Sequence, residues 1–362
     1  MEYRKAVVAA CVWLLTDLAC AQSSVVLYGR LDVAVAYDSF SNTATVKGKS
    51  ALSELSDISY WGLRGAEDLG GGTKAIFKLE SWFNVANGAV FNPNSFFSRE
   101  AYVGVSNADY GTLQLGSQFP PSLWLSVPVD PFGRTTDGAL FSLFQQMPGR
   151  TGNARGSLST LNNAIQYITP RVGGFLGRFV YTPSGHAQAP TNLGNTVAVG
   201  LSYQAKRFYV GAVYETQRQA GSSFGLPDAS VPSTTWLFGG TYDLGYFKVH
   251  GELMRNQVTH LGDVQGWMAG VTYPAFHGAF RGSYATRWTQ GTGGTRASQT
   301  ALGYIYPLSK RTSLYANFAH LSNADSIAFG LWPGSSETYN AQKLPMNGQG
   351  QNEFELGLRH DF

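Results

Sequence analysis

The sequence predicts an all-β protein, a closed antiparallel barrel of sixteen strands that crosses a membrane. Three observations support this prediction. The N-terminus has the order of a secretory leader, and the composition combines many aromatic and glycine residues with few charges. Polar and apolar residues also alternate along segments whose connectors are short at one end and long at the other.

The N-terminus predicts export from the cytoplasm. A basic start is followed by an apolar stretch over residues 6–15 and then by the small residues of Ala19-Cys20-Ala21. This order is typical of a cleavable signal peptide, and the apolar stretch is too short to span a bilayer as a helix. We therefore expect a signal peptide over residues 1–21 and a single barrel domain over residues 22–362.

The composition narrows the class of protein. Charged residues and aromatic residues each make up 14% of the chain, glycine occurs 43 times, and the formal net charge is +3. No run of eighteen apolar residues follows the leader, so no transmembrane helix is expected. The charge is too small and too evenly spread to indicate nucleic acid as a partner.

Residues alternate with a period of two, which places them on opposite faces of a strand. In the first strand Leu27 and Leu31 alternate with Arg30 and Asp32, and the last strand ends on its apolar face with Phe362. Sixteen segments are strand candidates: 24–38, 57–67, 72–85, 98–106, 111–118, 161–169, 175–183, 195–205, 207–217, 234–243, 245–258, 263–273, 277–289, 296–307, 311–322 and 350–362.

Connector length follows a pattern that a soluble sandwich has no reason to show. Short turns such as 68–71, 107–110, 243–245 and 308–310 alternate with longer connectors, and one shorter member lies near 259–262. Short turns on one rim and long loops on the other are typical of outer-membrane barrels. The long connectors span residues 39–56, 86–97, 119–160, 184–194, 218–233, 290–295 and 323–349.

Motifs of catalysis and cofactor binding are missing from the sequence. The six histidines stand in no recognisable catalytic motif. No His-x-x-x-His occurs, and no cysteine follows the leader, so neither a metal nor a cofactor is expected. The glycines of 70–72 are not followed by Gly-Lys-Ser/Thr, which favours turns over a phosphate loop.

Several motifs resemble those of Gram-negative general porins, especially the β-proteobacterial ones. They are Tyr28-Gly29, the hairpin over 61–77, the segments 99–104 and 111–116, and the C-terminal 357–362. The resemblance implies a homotrimer in the outer membrane whose third loop, here 119–160, folds into the lumen of a passive channel for small hydrophilic solutes. It also implies contact with outer-membrane lipid and lipopolysaccharide, and recognition of Phe362 by the barrel-assembly machinery.

The resemblance further implies a constriction with cations on the wall and acids on the loop, where a transverse field selects ions. Arg30 and Arg99 match basic positions of the family, whereas Tyr60 stands where the family usually has arginine. Arg64 lies on the same strand face as Tyr60 and is expected to compensate in part.

On the loop, the segment Asp130-Pro131-Phe132-Gly133 resembles a turn of the family, with Arg134 in place of a glycine. We therefore expect the wall of the constriction to hold Arg30, Tyr60, Arg64 and Arg99, and its loop to hold Asp130, Arg134 and Asp137. This thinner basic cluster predicts weak charge selectivity.

Two other functions stay open at this point. Loop aromatics could line a path for a sugar or an organic acid, or could anchor the loop to the barrel wall: Phe119, Trp124, Phe132, Phe141 and Phe144. A barrel enzyme or an adhesin is the more remote alternative. Outward aromatics near strand ends are expected to form interfacial girdles: Tyr37, Phe77, Tyr102, Tyr181, Tyr203 and Phe362.

Overall fold

The computed structural model describes residues 24–136, 138–144, 160–183, 195–219, 231–259, 262–291, 295–331 and 345–362. The predicted signal peptide lies outside these residues. The described residues form seventeen strands, all paired antiparallel in one sheet: β1 (Ser24–Phe40), β2 (Ser50–Ser56), β3 (Tyr60–Gly70), β4 (Thr73–Trp82), β5 (Glu100–Asn107), β6 (Gly111–Gln118), β7 (Leu161–Ile168), β8 (Phe175–Thr182), β9 (Thr196–Gln204), β10 (Phe208–Gln219), β11 (Val231–Asp243), β12 (Lys248–Val258), β13 (Gly262–Ala275), β14 (Gly278–Thr289), β15 (Ala297–Pro307), β16 (Thr312–Asn323) and β17 (Gln351–Asp361).

The seventeen strands make a barrel of sixteen positions because β2 and β3 share one. Both pair with the same edge of β1, β3 along residues 24–30 and β2 along residues 33–39. Between β2 and β3 the Ser59 side chain makes the hydrogen bonds to β1 that a continuous strand would make through its backbone. Its hydroxyl accepts from the backbone N–H of Asp32 at 2.9 Å and donates to the carbonyl of Asp32 at 3.0 Å. The sixteen-stranded barrel is thus confirmed, whereas the expectation of an unbroken loop over 39–56 was wrong.

The barrel closes where β1 pairs with β17 from Arg30 opposite Asp361 to Phe40 opposite Gln351. Gly29 and Phe362 extend this seam with two backbone hydrogen bonds of 3.0 and 3.1 Å. A Cβ on Gly29 would lie 2.5 Å from the Phe362 ring, so the terminal aromatic packs in space that only glycine leaves. The seam leaves no free sheet edge between the first and last strands, which a lipid-embedded sheet requires.

The two faces of the sheet differ in polarity, as the alternation predicts. Phe238 and Leu253 are paired neighbours on the exposed face, whereas Gly239 and Glu252 are paired neighbours on the buried face. The exposed face carries many aromatic rings, among them Tyr37 and Tyr181 of the predicted girdle residues. Tyr102 is an exception: it pairs with Lys78 on the inner, polar face, so its prediction as an outward aromatic was wrong.

The short turns use backbone conformations that glycine supplies. Gly70, Gly71 and Gly72 all have positive φ, between 57° and 85°, and the Asp68 carboxylate accepts from the Gly70 N–H at 2.8 Å. Left-handed φ values are costly for residues with a Cβ, so these glycines shape the β3–β4 turn. This is the role that the sequence predicts for them instead of a phosphate loop.

Two short helices follow β6 in the described chain: α1 (Pro121–Val129) and α2 (Phe141–Phe144). Pro121 stands at the first helical position, where its missing N–H costs nothing. No helix among the described residues is long and apolar enough to cross a membrane.

The closing seam generates a stability prediction. Arg359 Nε donates to Asp32 Oδ2 at 2.6 Å, and Tyr315 donates to the other oxygen of this fully buried carboxylate at 2.9 Å. Substituting Arg359→Gln leaves the Asp32 charge buried without its cation, which costs about 3 kcal/mol. We expect a clearly lower unfolding midpoint for the detergent-solubilised barrel in urea.

The matched control is Arg311→Gln, an exposed arginine in the β15–β16 turn. We expect this variant to unfold like the wild type. Equal midpoints for Arg359→Gln and Arg311→Gln would show that the seam does not depend on this ion pair.

Candidate functional site

The segment after β6 lies against the inner, polar face of the sheet, because the residues it touches alternate with the exposed aromatic ones. In α1, Leu125 and Val129 are buried and approach Gly211 of β10 and Gly239 of β11. Further along the segment, Arg359 of β17 donates to the Thr135 hydroxyl at 2.7 Å. The described part of the loop therefore reaches across the inner wall from α1 near β10 to β17.

Glycines on the inner wall make room for this loop. A Cβ on Gly270 would lie 2.5 Å from Pro131 Cγ, and one on Gly200 would lie 2.7 Å from Pro121 Cβ. Such distances are too short for real side chains, so the wall accepts the loop only where it lacks a Cβ. At four other wall glycines a Cβ would lie 2.8–3.1 Å from a side-chain atom of the loop: Gly211, Gly239, Gly266 and Gly303.

Hydrogen bonds between the loop and the wall hold the loop backbone and α1 in place. Ser122 and Ser126, one helical turn apart, donate to the buried carboxylates of Glu215 and Glu252 at 2.8 and 3.1 Å. Three further wall side chains contact loop carbonyls: His250 Nδ1 lies 2.8 Å from Val129 O, Arg287 Nη1 donates to Leu143 O at 2.8 Å, and Gln299 donates to Ala139 O at 3.1 Å.

Asp130 organises the turn after α1. Its carboxylate accepts from the backbone N–H groups of Phe132, Leu140 and Arg134 at 2.9, 2.9 and 3.2 Å, and the residue is buried. Burial raises the pKa of Asp130 above its ordinary value, and the three N–H donors oppose this shift. The structure thus places Asp130 inside the loop and not on a surface that faces the β1–β7 wall.

Arg134 takes the left-handed conformation, with φ 59°, directly after Gly133 with φ 61°. Glycine adopts this conformation at no steric cost, which accounts for the glycine that the resembling turn usually has there. The guanidinium is buried, and burial lowers its pKa against the opposing charges of Glu252 and Asp130. Asp137, the third predicted loop residue, lies outside the described residues.

The predicted wall residues come together on β1 and β3 and at the start of β5. Arg99, just before β5, stacks over Tyr60 with 4.1 Å between its guanidinium carbon and the ring centroid, and it donates to Glu80 at 3.0 Å. Arg30, opposite Tyr60 in the ladder, donates from two nitrogens to Asp361 at 2.7 and 3.3 Å. Each of these two arginines is therefore paired with a carboxylate.

Arg64 differs from these two arginines. Its guanidinium lies 4.8 Å from the Tyr28 ring centroid, and the side chain is exposed. Among the described residues no carboxylate lies within ion-pair distance of it. Of the three arginines predicted for the wall, Arg64 is thus the one without a carboxylate partner.

Four charged residues of this wall were missed by the sequence prediction: Lys78, Glu80, Glu100 and Asp361. Lys78 bridges Glu80 and Glu100 at 2.9 and 2.5 Å, and these carboxylates face the same inner surface as Arg64 and Arg99. The alternation of Lys78 with Glu80 along β4 was the available signal. The wall cluster, defined as Arg30, Arg64, Lys78, Glu80, Arg99, Glu100 and Asp361, holds four cations and three carboxylates, which leaves one net positive charge.

The described part of the chain shows no metal-binding cluster. No group of three or more histidine, cysteine, aspartate or glutamate side chains there could hold a metal ion. The inner wall instead offers charges and hydroxyls around a lumen that the loop partly fills. The loop thus narrows the space inside the barrel.

Comparison with known proteins agrees with this geometry. Residues 6–326 match the family model of Gram-negative porins. The chain belongs to the Gram-negative porin family. Outer membrane porin protein 32 of Delftia acidovorans is 30% identical over 376 aligned positions, which cover 99% of this chain and 100% of that protein. An outer membrane porin of Bordetella pertussis is 27% identical and covers 86% of this chain and 94% of its own length.

Solved structures show the same architecture. The anion-selective porin from Comamonas acidovorans superposes with a TM-score of 0.76 at 28% identity, over 94% of this chain and 100% of that one. OmpT of Vibrio cholerae in its trimer form shares the fold with a TM-score of 0.63 at 13% identity, over 94% and 99% of the two chains. This porin is thus an outer-membrane channel for passive diffusion, not an enzyme.

The wall glycines that contact the loop yield a prediction about single-channel conductance. Substituting Gly270→Val places side-chain atoms where Pro131 lies, at an overpacking cost of about 1–3 kcal/mol. We expect the loop to move away from the wall into the lumen, so the single-channel conductance of the porin in a planar bilayer falls.

The control is Gly251→Ala, where the nearest atom to the new Cβ is Met268 O at 3.8 Å. This variant is expected to conduct like the wild type. An unchanged conductance for Gly270→Val would mean that the loop does not limit the current.

Proposed function

We propose that this porin conducts small hydrophilic solutes and ions between the loop and the wall of β1–β7, with a weak preference for anions. The observation that carries the proposal is the near balance of charge in the wall cluster, in which Arg64 supplies the surplus. A ring of fixed charge at a narrow point biases which ion enters. Because the other cations have carboxylate neighbours, the bias is small.

The comparison with the anion-selective porin from Comamonas acidovorans supports the sign of this preference. Its strength is a separate question, since Glu80, Glu100 and Asp361 offset most of the positive charge on the wall. In this proposal Arg30, Arg64, Arg99 and Tyr60 line the constriction. The loop residues Asp130 and Arg134 hold the loop in shape, with Asp137 as a further loop acid.

The alternative of a sugar-specific or acid-specific channel rests on the loop aromatics, and their packing favours the anchoring role. Phe119, Phe132 and Phe144 are all buried, so their faces are not available to a passing solute. Trp124 is 37% exposed, but the guanidinium of Arg178 lies 4.7 Å from its ring centroid. A continuous stacking path is therefore not what these residues provide.

A homotrimer is the assembly that we propose, and the exposed face of β1–β6 supports it. Apart from Tyr37, the large exposed hydrophobic residues on these strands are aliphatic, whereas the exposed face of β8–β17 carries aromatic rings on most strands. Interfacial aromatic residues mark contact with lipid headgroups, and their scarcity suggests contact with protein. The aliphatic residues are Val25, Leu27, Leu31, Val35, Val103, Val105, Leu113 and Leu115.

Two partners complete the proposal. The barrel-assembly machinery is expected to recognise Phe362 together with the alternating strand β17. Lipid and lipopolysaccharide are expected to surround the exposed face that does not contact a second copy.

The selectivity proposal is tested by the reversal potential under a salt gradient. Arg64→Gln removes the surplus charge of the wall, so we expect the potential to shift from weakly anion-selective toward zero or cation selectivity. The shift should shrink at high salt because mobile ions screen the fixed charge.

Arg64→Lys keeps the charge and Arg255→Gln removes one from the outer face, so both controls should keep the wild-type potential. A wild-type reversal potential near that of a pure anion channel would contradict the proposal of weak selectivity. An unchanged potential for Arg64→Gln would remove Arg64 from the constriction.

The trimer is tested by mass measurement in mild detergent. Val103→Arg places a charge in the proposed interface, and Leu302→Arg places the same charge on the exposed face of β15. Each costs about 2–4 kcal/mol of membrane stability at mid-depth. We expect Val103→Arg alone to yield monomers, and equal masses for both variants would contradict the proposed interface.

A further inference from the structure

Arg178 of β8 is an inward-facing cation that lies outside the wall cluster. It pairs with Gly200 of β9, and a Cβ on Gly200 would lie 2.7 Å from Pro121 Cβ at the start of α1. The Arg178 guanidinium stacks on the ring of Trp124 in α1, at 4.7 Å from the ring centroid. Arg178 therefore stands at the surface of the lumen where α1 meets the inner wall.

Stacking holds the guanidinium of Arg178 by one face and leaves its N–H donors unused. Among the described residues no carboxylate lies within ion-pair distance of Arg178, and no oxygen accepts a hydrogen bond from it. The side chain is partly exposed, so its donors are accessible from the lumen. The cation–π contact thus fixes this arginine in place without using any of its five N–H groups.

Two tyrosines bring hydroxyl groups close to Arg178. Its guanidinium interacts electrostatically with Glu100, Tyr209, Tyr102 and Arg171, which places these four side chains around it. Tyr102 lies on the inner face of β5, and Tyr209 of β10 packs against the buried cluster that includes the loop. Strands β5 and β10 lie on opposite sides of β8 in the sheet, so the two tyrosines approach Arg178 from both sides.

A row of glutamine amides determines which hydrogen-bonding role is left to Tyr102. Gln118 Nε2 donates to Ala164 O at 3.1 Å, and Gln118 Oε1 accepts from Gln166 Nε2 at 2.7 Å. Gln166 Nε2 also lies 3.3 Å from Gln114 Oε1, so Gln114 directs its amide nitrogen, a donor, toward the Tyr102 hydroxyl. A hydroxyl that accepts from an amide keeps its own proton to donate. Tyr102 is therefore a second donor beside the guanidinium.

These donors match the chemistry of a carboxylate that carries one charge. A guanidinium edge presents two parallel N–H groups to the two oxygens of a carboxylate. Arg171 uses its Nη1 for the Gly174 carbonyl, so Arg178 supplies the free guanidinium edge, and the nearby Glu100 opposes a second negative charge. Trp124 is 37% exposed and offers apolar surface to a short carbon skeleton.

We propose that Arg178, Tyr102, Tyr209 and Trp124 form a binding site for one small monocarboxylate inside the channel, which we call the Arg178 site. Arg178 donates to both carboxylate oxygens, Tyr102 donates a further hydrogen bond, and the carbon skeleton lies against the exposed part of Trp124. Tyr209 closes the site on the side of β10. The inference rests on the proposed function in one respect, since the solute reaches the site through the lumen.

The experiment is a saturation-transfer NMR titration of the full porin in mild detergent, with propionate as the probe and neutral propionamide as its isostere. We expect propionate to bind saturably and propionamide not to compete with it. Arg178→Gln should raise the dissociation constant for propionate about tenfold, the loss expected for one charge-assisted hydrogen bond. Tyr102→Phe should raise it about fivefold, since one neutral hydrogen bond is lost.

A further variant separates directed hydrogen bonding from charge alone. Arg178→Lys keeps the charge and loses the planar fork, so we expect it to bind propionate more weakly than the wild type. An affinity for propionate fully retained in Arg178→Lys would overturn the proposed geometry.

Matched controls test whether the losses belong to this site. Arg311→Gln removes an exposed arginine from the β15–β16 turn, and Tyr273→Phe removes a hydroxyl from the exposed face of β13. Both should bind propionate like the wild type. Equal dissociation constants for Arg178→Gln and the wild type, equal losses in the controls, or equal binding of propionamide would each overturn the proposal.

Chloride current in a planar bilayer separates this proposal from the channel itself. Added propionate should lower the current through the wild type saturably, and about ten times more propionate should be needed for Arg178→Gln. A porin that conducts chloride and binds no propionate would overturn the Arg178 site and leave the channel standing. A porin that binds propionate and does not conduct would overturn the proposed channel and leave the site standing.

Discussion

The structure depends on one constraint: a backbone in hydrocarbon finds no water to pair with its N–H and C=O groups. Every strand must therefore have two neighbours, and the first strand must find the last. The β1–β17 seam meets this requirement, and the two backbone bonds between Gly29 and Phe362 carry it to the C-terminus. Where β2 and β3 meet, the Ser59 hydroxyl takes over the pairing of Asp32 that the interrupted strand cannot provide.

Closure creates a lumen, and the lumen must be narrowed without burying unpaired groups. The loop after β6 achieves this by lying on glycines of the wall, by donating hydrogen bonds from its serines to wall carboxylates, and by accepting hydrogen bonds at its carbonyls. Its own acid, Asp130, is used to hold the turn together. The charges left near the passage belong mainly to the opposite wall, where most cations have a carboxylate beside them.

Much of the fold was predictable because the period-two pattern follows directly from a sheet with one face in lipid. The pattern fails in β2, where exposed Glu54 stands next to buried Leu55, so this strand was taken for a loop. Tyr102 was predicted on the wrong face because an aromatic ring is compatible with either face of the sheet. Only its pairing with Lys78 shows that it lies on the inner one. At these positions the neighbouring strand determines which face of the sheet the residue occupies, and the sequence of a single strand does not reveal it.

The candidate site was predictable in part. Arg30, Tyr60, Arg64 and Arg99 share one wall because strand alternation fixes their face. The neutralisation of Arg30 by Asp361 and of Arg99 by Glu80 depends on contacts between strands. A loop acid is harder to place, since the local backbone decides whether it faces the lumen or caps a turn. Asp130 caps a turn, because its carboxylate accepts from three backbone N–H groups, and the spacing of residues in the sequence does not specify these donors.

Cysteine modification during current recording tests most directly whether the passage runs along the β1–β7 wall. Because no cysteine follows the predicted leader, single cysteines can replace exposed Arg64 and buried Thr235, which lies on the inner face of β11. A charged methanethiosulfonate reagent should change the current through the Arg64→Cys channel within the recording and leave the Thr235→Cys channel unchanged. A block at position 235 with none at position 64 would place the passage on the other wall and contradict the account.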